Sequence, residues 1–139
     1  MGMISVLHTA FRLFLACILG GIIGWEREKK GRSAGLRTHM LVCMGSALVM
    51  LVSMYIQRNF IDIKSIDTLR IAAGVVAGVG FLGAGAIIKS AENTRGLTTA
   101  ASIWISSGIG LATGCGYFAG ALIATAFSFI ILFILKKFE

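Results

Sequence analysis

GLTTAASIWISSGIGLATGCGYFAGALIATAFSFIILFIL, residues 96 to 135, runs for 40 positions without a charged side chain. As a single helix it would be about 60 Å long at 1.5 Å per residue. The hydrocarbon layer of a bilayer is only about 30 Å thick. Two antiparallel spans fit instead, over 97–113 and 116–135, with the reversal expected at Thr113-Gly114-Cys115-Gly116, where glycine and polar residues concentrate.

Upstream, three more apolar runs are long enough to cross: 4–25, 36–56 and 71–88. The first carries His8 and Arg12, the second has no charged side chain after His39, and the third has none at all. The expected architecture is therefore all-α, a single transmembrane domain over 1–139 built as a bundle of five helices. Four is the alternative, if the first segment does not cross completely.

Composition agrees with lipid as the main solvent. Apolar residues are 57% of the chain and charged residues 14%, against about 25% charged in a soluble domain. There is no proline and there are 18 glycines, so close packing falls to glycine. Small residues recur every fourth position at Ala16, Gly20 and Gly24, at Gly74 and Gly78, and at Gly116, Gly120, Ala124 and Ser128. Such spacing suits helix packing within one chain or a seam between copies, and a homo-oligomer, a dimer first, is expected. Gly78-Val79-Gly80-Phe81-Leu82-Gly83 matches the dinucleotide pattern of glycines, but it lies inside an uncharged span rather than after a strand. It is read as packing. The cysteines Cys17, Cys43 and Cys115 lie far apart in apolar sequence and are expected to be buried small hydrophobes.

The net charge is +7. The basic residues flank the spans, so anionic lipid headgroups account for them better than nucleic acid does. With five spans, nine Lys and Arg fall on one side (Arg27, Lys29, Lys30, Arg32, Arg37, Lys89, Arg95, Lys136, Lys137) and three on the other (Arg58, Lys64, Arg70). The positive-inside rule then places the N-terminus outside and the C-terminus in the cytoplasm. On the outer side, Phe60, Ile63, Ile66 and Leu69 recur at helical spacing, which suggests a segment lying in the interface with Asp62 and Asp67 facing water.

Four helix ends deliver Glu26, Arg27, Arg37, Thr38, Lys89, Arg95, Thr98 and Thr99 to the basic side. Read plainly, this is a membrane interface, with Trp25 as an anchor and the threonines as caps. Read as a site, Glu26 pairs with Arg37 or Arg95, and Arg37, Thr38 and the amides opening the second and fourth spans accept an anion or an acidic partner. Arg12 is the one charge well inside a span. It either snorkels outward or bonds carbonyls and hydroxyls within the bundle.

No HExxH, GxSxG or Walker pattern occurs, and no catalytic residue or metal ligand is expected. No Asp or Glu lies within any span. Magnesium prefers carboxylates and retained water, so the ion is expected, if at all, only as a hydrated passenger and not as a cofactor.

Gly24-Trp25-Glu26-Arg27 and Ala34-Gly35-Leu36-Arg37-Thr38-His39 resemble the first signature of the MgtC/SapB family. Gly80-Phe81-Leu82-Gly83-Ala84-Gly85-Ala86-Ile87-Ile88 and Arg95-Gly96-Leu97-Thr98-Thr99-Ala100-Ala101 resemble the next two, in the same order. The resemblance implies a bacterial inner-membrane protein linked to growth in low magnesium, in a family with virulence-related members. One mechanism proposed for the family is inhibition of the F-type ATP synthase. The motif positions Glu26, Arg27, Arg37, Thr38, Arg95, Thr98 and Thr99, with the glycines around Phe81, carry over. Longer relatives bear a soluble domain after the last span, and this chain is expected to be the membrane part alone. The expected role is a non-enzymatic regulator that contacts another membrane protein; the alternative is an oligomeric channel or transporter for Mg²⁺ or another cation.

Overall fold

Ser5 starts the first helix by accepting the His8 amide on its hydroxyl at 3.2 Å, which supplies one of the acceptors that a helix start lacks. The computed structural model describes residues 5–60 and 67–135. They form five helices: α1 (Val6–Lys29), α2 (Leu36–Asn59), α3 (Thr68–Gly85), α4 (Leu97–Cys115) and α5 (Phe118–Ile134). A short antiparallel hairpin, β1 (Ile88–Lys89) with β2 (Thr94–Arg95), joins α3 to α4.

The all-α bundle is the architecture read from the sequence. Three of its helices, α1, α2 and α3, are long and apolar enough to cross a membrane, and α5 is a shorter apolar helix. The 40-residue uncharged stretch does divide: Gly116, at φ 90°, ends α4 in a left-handed conformation, and its amide bonds the Ala112 and Thr113 carbonyls. Such a C-terminal turn suits glycine, which has no Cβ to strain.

The third segment departs from the expected 71–88. Its helix opens three residues earlier, where the Asp67 carboxylate accepts the Leu69 and Arg70 amides at 3.0 and 3.3 Å. It also closes early, at Gly85, so Ile88 belongs to the hairpin. Two causes act together. Gly80, Gly83 and Gly85 weaken the last turns, and Gly96 (φ 92°) passes so close to the Ala86 carbonyl that a side chain there would strike it. Asp67 is exposed, as expected, but its role is to cap α3. Ile63, Ile66 and Asp62 of the expected interfacial segment lie outside the described residues.

α4 packs against all four other helices. Its buried face carries Thr99, Ser102, Ser106, Ser107, Gly110, Thr113 and Gly114. The helix with the most hydroxyls is thus the central one, because the others separate it from lipid. Three of these hydroxyls donate within α4: Ser106 to the Ser102 carbonyl, Ser107 to Trp104 and Thr113 to Ile109, at 2.7–2.9 Å.

Close approach follows the small residues, though not all those singled out above. Gly20 and Gly24 let α1 lie against His39, Cys43, Gly35 and Leu36 of α2; an added Cβ would come within 2.5 to 2.8 Å of them. Gly110 and Gly114 do the same for α4 against Cys43, Ser46, Ala47 and Met50 of α2. Gly83 rests on Ala100 at ordinary contact distance, while Gly74, Gly78, Gly80 and Gly85 face open space within this chain. Gly120 lies nearest the Tyr117 ring of its own turn, and Gly116 faces Arg12. Of the cysteines, Cys43 is buried and Cys17 partly so, but Cys115 is exposed at the end of α4.

Candidate functional site

The end of α1 is amphipathic in an unusual direction. Trp25 faces outward under the Lys29 ammonium, 3.9 Å from its ring centroid, while Glu26 and Arg27 turn inward and are 2% and 4% exposed. Lys30, one turn on from Glu26, forms an ion pair with Glu26 Oε1. The other oxygen, Oε2, receives Arg27 Nη1 at 3.4 Å. The expected pairing of Glu26 with Arg37 or Arg95 does not occur. Both arginines are exposed, and the i,i+4 geometry of one helix brings Lys30 to the carboxylate first. Lys30 also donates to the Leu132 carbonyl at 2.9 Å, placing a cation on the last turn of α5, where the helix dipole is negative.

The start of α2 has a Gly35 N-cap without a side chain. Glu28 supplies the acceptor from across the loop, taking the Leu36 amide on Oε2 at 2.7 Å. One turn inside, His39 is fully buried. Its Nδ1 lies 2.8 Å from the Gly35 carbonyl and its Nε2 lies 2.9 Å from Ser102 Oγ on α4. A carbonyl only accepts, so Nδ1 carries the proton. Ser102 Oγ is also 2.8 Å from the Thr99 carbonyl, so its single hydroxyl hydrogen is shared between Nε2 and that carbonyl. The imidazole thereby ties α2 to α4 directly above the Glu26 group.

The structure therefore sorts the expected cluster. Glu26, Arg27 and Thr99 are buried together at this end, while Arg37, Thr38, Arg95 and Thr98 are exposed. Arg95 and Thr98 border a cleft shared with Arg27 and Thr99. Arg37 and Thr38 are not among its lining residues, because they leave α2 on the face opposite His39.

Arg12 takes the inward alternative. Its Nη1 donates to the Gly114 carbonyl at 2.7 Å, and its guanidinium carbon lies 5.7 Å from the Phe118 ring centroid. It closes the α4–α5 turn from α1, at the opposite end from Glu26. The sequence reading did not assign roles to Lys30, Ser102 or the ring of His39. Lys30 was findable from its four-residue spacing to Glu26, and Ser102 from the series Ser102, Ser106, Gly110, Gly114.

Comparison with known proteins gives this arrangement its relatives. The chain is 47% identical over 126 residues to "Putative magnesium transporter YhiD" of Escherichia coli K12, covering 87% of this chain and 57% of that protein. It is 42% identical over 143 residues to "Protein SrpB" of Synechococcus elongatus, covering 96% of this chain and 78% of that protein. To "Protein MgtC" of Brucella abortus it is 43% identical over 120 residues, covering 86% and 48%. The chain thus spans about half the length of several of the curated relatives it matches. No solved structure matches it. The MgtC family model matches residues 13–139, a region that holds both the helix bundle and the buried Glu26 group, and the chain is a membrane protein belonging to the MgtC family.

Proposed function

We propose that this protein is a multi-pass protein of the bacterial inner membrane that serves adaptation to low magnesium or envelope stress as a non-enzymatic regulator. It acts through the Glu26 end of the bundle on a second membrane protein, for which the F-type ATP synthase is the candidate. The loop charges favour that end facing the cytoplasm, with the N-terminus outside. One relative's name, "Putative magnesium transporter YhiD", supplies the link to magnesium.

One observation carries the choice of regulation over transport. All the described acids lie at helix ends or in loops: Glu26, Glu28, Asp67 and Glu92. Deeper in the bundle, the Ser106, Thr113 and Thr125 hydroxyls donate to their own helix backbone. Among the described residues no three His, Cys, Asp or Glu side chains come together. A route for a divalent cation normally offers carboxylate or several free oxygens.

Photo-crosslinkers at Arg37 and Arg95, both exposed beside the buried group, test the reading in native membranes. A specific membrane-protein adduct is expected, and adducts with lipid and self alone would count against it.

The second reading is an oligomeric cation channel. The open face of α3 favours it, since Gly74, Gly78, Gly80 and Gly85 have nothing against them within the chain and suit close contact with another copy. Flux of Mg²⁺ into liposomes above that of empty vesicles would support this second reading and remove the first.

A further inference from the structure

At the Glu26 end, a cleft of about 580 Å³ opens between the hairpin, the start of α4 and the end of α5. Sites for small ligands occupy about 300–1,000 Å³. Arg27, Arg32 and Arg95 all line it, and no acidic residue joins them among the described lining residues. Glu26, the nearest acid in the sequence to Arg27, is engaged by Lys30 at Oε1 and by Arg27 Nη1 at Oε2, 3.4 Å away, so one edge of the Arg27 fork is already in use.

Two further features converge on the same space. α4 begins here at Gly96, which has no side chain to accept the first amides of the helix. Only the Ala100 amide finds the Gly96 carbonyl, at 2.8 Å. The amides of Leu97, Thr98 and Thr99 therefore stand at the positive end of the helix without an acceptor from it. Independently, Arg27 is 4% exposed, yet its Nε has no hydrogen-bond partner among the described residues. A buried guanidinium N–H normally has one.

We propose that this cleft binds a phosphoryl group. Arginine forks and the amides of a helix N-terminus both match the oxygens of a phosphate anion. Thr98 and Thr99 are among the lining residues, and Ile131, Leu132 and Leu135 give the lining an apolar part. Two sources share this chemistry: the headgroup phosphate of an anionic lipid and a soluble phosphate. The inference rests on the cleft itself and goes beyond the regulatory reading.

The test uses the whole chain purified in a maltoside detergent, which carries no phosphate. In one arm, inorganic phosphate is titrated and followed by ³¹P NMR. In the other, phosphatidylglycerol is added and the lipid retained per chain is counted by native mass spectrometry. Saturable binding of inorganic phosphate assigns a soluble ligand; retained lipid without phosphate binding assigns the headgroup. Arg32→Gln with Arg95→Gln removes two exposed cations, so the bundle should fold, as thermal unfolding checks. The single variants are measured beside the pair. Affinity should fall about ten-fold or more in the double variant. Arg58→Gln with Arg70→Gln, at the far end, should change nothing. Failure of both probes to bind, wild-type affinity in the double variant, or an equal loss in the far-end control would overturn the proposal. The regulatory reading is judged by partner capture and growth, so either can fail without the other.

Discussion

Arg12 shows how a costly residue is accommodated inside an apolar helix. Its guanidinium donates to the Gly114 carbonyl at 2.7 Å and lies against Phe118. The last carbonyls of a helix have no partner within it and carry its negative end, so the cation and the turn satisfy each other. Arg12→Leu leaves that carbonyl without its charged donor. The bundle should lose about 1.5–3 kcal/mol, the worth of a hydrogen bond to a charged group, read as a lower unfolding temperature in detergent. Arg12→Lys should recover part of it, since the charge remains and the fork does not. Ser53 is the opposite case: it is fully buried and its hydroxyl has no partner among the described residues. Ser53→Ala should be neutral or stabilising. The sequence announced Arg12 as exceptional through its position in an apolar run. It did not disclose the partner, which lies 102 residues away. Glu26 was likewise conspicuous as an acid at a span end, but its partner depended on a side-chain direction within α1 that sequence spacing only half specifies.

The α2–α4 crossing is where the elements are held most tightly. Gly110 and Gly114 press their backbones against Cys43, Ser46 and Ala47. Gly110→Val would overfill that contact and should cost about 1–3 kcal/mol or more. Gly78→Val on α3 meets nothing within the chain and should leave unfolding unchanged. If α3 is the seam of a homodimer, the same change should abolish copy-to-copy crosslinking. Equal destabilisation by the two substitutions would show that the α4 contact is not special. The existence and kind of all five helices were legible, because long uncharged runs have one solution in lipid. The identity of the central helix was not. Apolarity in a membrane marks contact with lipid, not burial in protein, so the run richest in hydroxyls, in α4, was the one enclosed. The hairpin of Ile88–Lys89 with Thr94–Arg95 was also unread, since four exposed residues carry no periodic pattern.

In the whole molecule the charges divide into two groups with different duties. At one end Arg12 fastens the α4–α5 turn. At the other, Glu26, Arg27 and Lys30 join the end of α1 to α5, with His39 bridging α2 to α4 beside them. Between the two, Ser106, Thr113 and Thr125 are already bonded to their own helix backbone, and the Ser53 hydroxyl has no partner among the described residues. This distribution favours a working face at the Glu26 end and gives no support to a conduit through the middle. The measurement that tests it most directly is growth of a deletion strain in low magnesium. The strain is complemented by wild type, by Glu26→Gln or by Arg95→Gln, with membrane levels matched. The account predicts that wild type restores growth and that both variants fail, although the exposed Arg95 can be replaced without disturbing the fold. Full restoration of growth by both variants would contradict it, and the charged end would then be no more than an anchor in the lipid interface.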